Sequence, residues 1–534
     1  MGLPGQASLI RLFKITILDA GVLTRIRRSA SEEHMRSFTI YDIYRRNAGV
    51  SGEAVALVEN KRRVTFENLL KQVDWTASGF SRQGIGKGDR IAILSNNHYR
   101  FFVVFGAAAA LGAIVVPVNW RLSNDEIEYI LKDCDPRAII VDAAFAGNIQ
   151  DMMAGSLRHV KQIYIDATAG KAPCLDDLMI SEPFSPAPVE GDDPFCIIYT
   201  AAVDGKPRGA VLSHANVIYG NLQTSATMEL TRRDAYVNML PLFHITGLNL
   251  SFSVMHMGGK NVIIPKFDEK MTLEQTQKEK ITVWGSFPPI LSRLTEQMKA
   301  GSYDVSSLRH VLGLDGPDTI RTFEEKTHAV FWMLYGQTET SGMVTFSPAL
   351  EKPGSAGQVG LLTKMRLVDE QDQDVPAGQA GEIVVQGPLV FKGFWRQDAV
   401  NERTFRNGWH HTGDMGQLDA DGYLWFKGRK PEKELIKPGG ENVYPAEVEA
   451  VVLQHSDVAE VSVIGVPDPQ FGEGIKAVCV LKPGASLGAK ELIEFVASRI
   501  ARYKKPRYVD FADQLPKKAD GSIDREKVKQ LYGK

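Results

Sequence analysis

From Thr65 to Leu94 the chain reads TFENLLKQVDWTASGFSRQGIGKGDRIAIL. Thr65 ahead of an apolar-periodic run is an N-cap, which predicts a helix through about Phe80. Gly84 to Gly88 closes that helix, and Arg90 to Leu94 reads as a strand. The pattern continues outward. Ser123 and Glu126 form a capping box for a helix ending near Asp133, and Ala138–Val141 and Gln162–Ile165 read as short buried strands. Phe101 to Val118 is apolar throughout, about the shortest run that could span a bilayer. Its Gly106, Gly112 and Pro117, and its change from alanines to Ile114-Val115-Val116, predict a buried helix running into a buried strand. This β/α rhythm predicts an α/β fold of doubly wound parallel sheets with helices on both faces.

Near Leu362 the texture changes to short strands with turns at Asp369–Asp374 and Pro376–Gly378, which predicts a β-rich subdomain over about 355–428. Gly428-Arg429-Lys430-Pro431-Glu432-Lys433 marks an exposed connection. The expected organisation is a large N-terminal domain, 1–429, and a small mobile α+β C-terminal domain, 430–534. In the latter, Val461–Val466 and Ala477–Leu481 are predicted strands and Lys490–Ile500 an amphipathic helix.

A net charge of −2 over 534 residues gives no electrostatic case for nucleic acid. Cys134, Cys174, Cys196 and Cys479 lack metal-ligand spacing and fit reduced core thiols in the cytoplasm. Leu9 to Arg28 mixes apolar residues with five basic ones against Asp19. Two readings stand for it: a helix packed on the domain, or weak peripheral membrane contact. It has no cleavage site of the secretory type. A homodimer is compatible with the sequence.

Several segments carry chemistry. Tyr335-Gly336-Gln337-Thr338-Glu339-Thr340 offers a hydroxyl to donate to a phosphate and a carboxylate to hold Mg²⁺. Gly408 to Asp414 reads GWHHTGD, and Arg429 follows. The adjacent His410 and His411 lack metal spacing. Glu434 to Glu449 reads ELIKPGGENVYPAEVE, with paired glycines that let backbone approach a ligand closely. Pro241 to Gly247 reads PLFHITG, Trp284 to Pro289 WGSFPP, and Gly313 to Pro317 GLDGP.

Taken in chain order, over Thr65 to Arg525, the segments resemble the adenylate-forming (ANL) acyl-CoA synthetases, the AMP-forming fatty-acid–CoA ligase family. The resemblance implies an acyl-CoA made through an acyl-adenylate, with ATP/AMP, coenzyme A and Mg²⁺ taking part. It places Thr338 on the α-phosphate, Glu339 on magnesium and Tyr335 on adenine, with Gly336 and Gln337 beside them. Asp315, Gly316 and Pro317 fall in the adenine pocket, and Asp414 and Arg429 on the ribose. His244 flanks the carboxylate. Lys437, Gly439, Gly440 and Glu441 belong to a loop that lines the pantetheine tunnel. Thr200, Gly205 and Lys206 frame the phosphate loop. Either Pro431 or Lys433 is the hinge.

Two departures stand out. The phosphate loop, Tyr199 to Gly209, reads YTAAVDGKPRG, so the family's Ser-Gly-Thr-Thr is replaced by Ala201, Ala202, Val203 and Asp204. An Asp carboxylate about 4 Å from phosphate costs roughly 4 kcal/mol at an effective dielectric near 20. Pro516 to Arg525 reads PKKADGSIDR, with Ser522 where the family carries the lysine that serves adenylation. Both changes fall on the first half-reaction, so adenylation is expected to be slower than thioester formation, with Lys517, Lys518 or Lys206 as candidate substitutes. Operation from acyl-CoA, AMP and pyrophosphate, or AMP and acyl-CoA binding without turnover, are the alternatives. His244, Trp284, Phe287 and Met343 suggest an apolar acyl pocket for a monocarboxylic acid.

Overall fold

The computed structural model describes residues 37–167, 173–182, 184–200, 206–430, 435–518 and 521–533. Thr39–Lys534 forms one compact unit. The Leu9–Arg28 segment, Ala201 to Gly205, and Pro431 and Lys433 lie outside the described residues.

Two large sheets carry the N-terminal domain. One has seven strands, in the spatial order Gly393–Phe394, Arg208–Ser213, Pro194–Thr200, Ile114–Pro117, Arg90–Leu94, Ala138–Val141, Lys161–Tyr164. The other has eight and runs from Thr345–Pro348 to Arg62–Thr65. The eight-stranded sheet is parallel inside with an antiparallel strand at each edge, whereas the seven-stranded sheet is parallel from Pro194–Thr200 to Lys161–Tyr164 and antiparallel across Arg208–Ser213 and Gly393–Phe394. The predicted helix is Phe66–Arg82, with the Thr65 hydroxyl accepting from Asn68 N. Ser123 and Glu126 form the predicted capping box on Asn124–Cys134. Arg100–Leu111 is a helix buried on every side and leads into the strand Ile114–Pro117. A helix apolar all round has no solvent face, which is why its sequence shows no amphipathic period. The core includes residues of this helix, of Ile245–His256 and of the seven-stranded sheet. No described helix is long and apolar enough to cross a membrane. All four cysteines are buried, with free thiols.

A five-stranded antiparallel sheet follows, built from Lys364–Val368, Ala380–Gln386, Phe405–Arg406, Trp409–Leu418 and Leu424–Arg429. The small C-terminal domain has a three-stranded sheet. Its first two strands are longer than predicted, Val458–Asp468 and Gly472–Leu481, and Tyr508–Phe511 adds a parallel third. Pro467 does not end the first strand because that strand lies at the sheet edge, where a missing N–H costs no ladder bond. The helix expected at 490–500 is Ala489–Ala497.

The topology places the site. Thr200 is the last residue of its strand, and Arg121, His244, Phe287, Asp315 and Thr338 follow the carboxyl ends of strands in the two large sheets. That is where open α/β sheets gather ligands.

Candidate active site

A buried polar cluster joins the N-terminal domain to the β-rich sheet. Tyr335 Oη donates to Asp414 Oδ2 at 2.9 Å, and Gln337 Nε2 donates to the same oxygen at 2.5 Å. Arg429 Nε lies 3.7 Å from Asp414 Oδ1, because residues 414 and 429 face each other on adjacent strands. Burial and the Asp414 charge hold the Tyr335 hydroxyl well above its usual pKa. Gln337 Oε1 is buried without a hydrogen-bond partner, an acceptor suited to a ligand hydroxyl or amine. Gly336 admits no side chain: a Cβ there would sit 1.9 Å from the Gly342 carbonyl oxygen. Nearby, Asp315 Oδ1 accepts from Gly316 N at 2.8 Å, Pro317 opens a helix, and burial raises the Asp315 carboxyl.

Three chambers share walls along the cleft. A polar one of about 450 Å³ is lined by Thr200, Arg208, Gln337, Glu339, Arg403 and Lys430, among others. A neck of about 70 Å³ includes Thr200, His244, Thr338 and Glu441 in its walls. An apolar chamber of about 330 Å³ includes His244, Leu240, Phe287, Gly440 and Glu441. The predicted catalytic Thr338 and His244 therefore meet where polar and apolar chambers join. Thr200 Oγ1 donates to Glu339 Oε1 across 3.4 Å. Mg²⁺ keeps several waters and takes only one or two carboxylates, so Glu339 facing a polar chamber fits it. No group of three or more metal-ligating residues exists among the described residues. His411 instead pairs with Glu382 at 3.2 Å. Burial works to raise the Glu382 carboxyl, but hydrogen bonds from His411 and Lys430 outweigh it and hold it at about 2.

The predicted glycine loop closes the apolar chamber. Gly439 and Gly440 have φ of +60° and +88°, and Gly439 N donates to Phe471 O at 3.1 Å. A Cβ at Gly440 would meet the Phe287 ring at 3.2 Å. Glu441 pairs with Arg121 at 2.5 Å, and the guanidinium lies 5.1, 5.6 and 5.8 Å from the Phe243, Tyr503 and Trp120 rings. Lys437 N donates to Glu473 Oε2 at 2.6 Å. His244 caps the helix Ile245–His256, its Nδ1 accepting from Thr246 N, and burial lowers its pKa, so the imidazole is neutral.

A family profile described as AMP-binding enzyme matches residues 44–395, and a second, AMP-binding enzyme C-terminal domain, matches 447–522. The chain belongs to the AMP-binding enzyme family. It is an AMP-forming acid–CoA ligase that uses ATP and CoA, and enzymes of this kind generally require Mg²⁺. The ligase is 33% identical to an indoleacetate–CoA ligase of Aromatoleum aromaticum, over 92% of this chain and 97% of that one. It is 32% identical to a feruloyl-CoA synthase of an Amycolatopsis species, over 91% and 98%. Two structures of the o-succinylbenzoate CoA synthetase of Bacillus subtilis are each 28% identical over 92% of the ligase. A double mutant bound with the product analogue OSB-NCoA, matched over 99% of its chain, gives a TM-score of 0.81. The enzyme in complex with the acyl-adenylate intermediate OSB-AMP, matched over 98%, gives 0.66.

Other predicted residues of the ligase lie elsewhere. Ser522 sits in a hairpin on the C-terminal sheet, where Lys518 N donates to Ser522 O at 2.8 Å. Lys517 pairs with Glu460 at 2.6 Å and Arg525 with Glu449 at 2.6 Å, which holds the hairpin to its own domain. Lys206 is exposed. Trp284, expected in the acyl pocket, is instead fully buried, donates Nε1 to Thr276 Oγ1 at 3.0 Å and packs on Phe323. Strand alternation turns it away from the face where Gly285 meets Leu240. Met343 is buried with its sulfur 3.5 Å from Thr224 Oγ1, while Phe287 does line the apolar chamber. Sequence reasoning missed Arg121 and Lys504, whose partners are hundreds of residues distant. It read Glu126 only as a helix cap.

Proposed function

We propose that the ligase converts a largely apolar monocarboxylic acid to its CoA thioester, with thioester formation faster than adenylation. The observation that carries this reading is the docking of the Gly439–Glu441 loop beside His244, while the hairpin bearing Ser522 is held on Glu460 and Glu449. The higher TM-score against the CoA-product complex than against the acyl-adenylate complex supports the same arrangement, since identity and coverage hardly differ.

In this scheme a carboxylate oxygen attacks the α-phosphorus of ATP and pyrophosphate leaves. Thr338 donates to the α-phosphate, Glu339 holds Mg²⁺, and Asp414 accepts from the ribose hydroxyls beside Tyr335 and Arg429. The C-terminal domain then turns about a joint after Arg429. The CoA thiol enters past the Gly439–Glu441 loop, gives up its proton to solvent and attacks the acyl carbonyl through sulfur, and AMP leaves with the electrons of the broken C–O bond. Neutral His244 packs beside the reacting carbonyl. Arg208, Arg403, Arg406 and Lys430 line the polar chamber and offer the polyphosphate positive charge in place of the hydroxyls that Ala201 to Asp204 lack. Reduced thiols support a cytoplasmic setting.

Synthetic indoleacetyl-, feruloyl-, decanoyl- and succinyl-AMP, each mixed with CoA, test the reading. Thioester is expected from at least one of the first three and little from the last. If none yields thioester, the ligase reading fails, and AMP or acyl-CoA binding without turnover takes its place.

Gly440→Ala is expected to slow thioester formation roughly tenfold. The left-handed backbone costs a side chain about 1–2 kcal/mol, and the added methyl crowds Phe287. AMP affinity, measured by calorimetry, is expected to stay unchanged.

A further inference from the structure

We infer that Glu126 is a positioning residue for thioester formation, acting through Lys504 to hold the C-terminal domain in the thiol-accepting orientation. This rests on the function proposed above.

The Lys504 ammonium is 2% exposed and sits between two carboxylates. Its Nζ is 2.5 Å from Glu126 Oε1 and 2.7 Å from Glu447 Oε2. Glu447 belongs to Lys504's own domain, at the start of the helix Pro445–Val452. Glu126 belongs to the large domain. The charge is thus satisfied half from home and half from across the interface. Burial works against the ammonium, but Tyr503, Glu447 and Glu126 outweigh it and raise its pKa, so Lys504 is charged at any working pH. The second oxygen of Glu126 also bridges. Oε2 accepts from Ser123 N and Ser123 Oγ at 2.8 Å, fixing the carboxylate, and from Ala501 N at 3.2 Å across the interface.

Five residues upstream, Arg121 makes a second cross-domain ion pair from the same stretch, with Glu441 at 2.5 Å. The Arg121–Glu126 stretch is therefore a docking platform whose two ends carry opposite charges, each met by its complement on the mobile domain. Rotating that domain away would strip Lys504 of one carboxylate and the Ala501 N–H of its acceptor. Removing one member of a buried charge cluster is strongly unfavourable, because the remaining charges lose their compensation. Like charges left facing each other are worse.

Substitution at this cluster separates positioning from folding. Glu126→Gln keeps the capping box, which accepts Glu or Gln, and leaves Lys504 its pair with Glu447. It is expected to slow thioester formation from acyl-AMP and CoA roughly tenfold. Lys504→Met leaves Glu126 and Glu447 facing each other and is expected to slow it about 100-fold. The double variant removes one of those carboxylates and is expected to recover to near the Glu126→Gln level. AMP affinity, read by calorimetry on the intact protein, stays within about twofold throughout, since the Tyr335–Asp414 cluster is untouched. A double variant no faster than Lys504→Met, AMP affinity falling in step with rate, or wild-type rates in Glu126→Gln would overturn the proposal. The wild-type trace reads the underlying ligase function separately.

Discussion

Ser522→Lys is expected to raise ATP- and acid-dependent adenylate formation by roughly 10²–10³. That is the range observed when one preorganised charge donor to a developing anion is lost or regained. Ser522 is exposed in a short turn closed by Gly521, so a lysine there meets no packing obstacle. Its charge stays idle in the docked arrangement, where Lys517 and Arg525 anchor the hairpin away from the cleft. It acts only when the domain turns. Thioester formation from preformed acyl-AMP is therefore expected to stay within about twofold of wild type. Pyrophosphate–ATP exchange reads the first effect. An unchanged exchange rate would mean that another group, Lys206 or an arginine of the polar chamber, already serves adenylation.

Asp414→Ala is expected to cost the largest share of nucleotide affinity. The carboxylate accepts from Tyr335 and Gln337 and lies beside Arg429, so its loss removes a ribose acceptor and takes one partner from each of these three side chains. Hydrogen bonds to a charged group contribute about 1.5–3 kcal/mol each, which makes a drop of 10²-fold or more in AMP affinity reasonable for two ribose contacts. Asp414→Asn, which keeps the size and one acceptor oxygen, is expected to lose less. Calorimetry with AMP decides the order of the two variants.

Much of this was legible in the chain itself, for identifiable reasons. Thr65, and Ser123 with Glu126, announce their helices because capping is local chemistry. The fold class follows from the alternation of such helices with short apolar strands. Residues at strand carboxyl ends were found because their motifs are contiguous. Trp284 was misplaced for an equally physical reason. A strand buried on both faces shows no polar alternation, so nothing in the sequence says which face turns to the cleft. Tyr508–Phe511 escaped notice because it is short and interrupted by Asp510. Lys504 and Glu126 lie 378 residues apart, and their meeting depends on how the domains dock. Capping already accounted for Glu126, so its second partner left no local trace.

Measuring both half-reactions on one preparation tests the central claim most directly: acyl-AMP plus CoA to thioester, and acid plus ATP to acyl-AMP, for the same acid. The account predicts that the first exceeds the second by at least tenfold. Equal rates, or a faster adenylation, would contradict it.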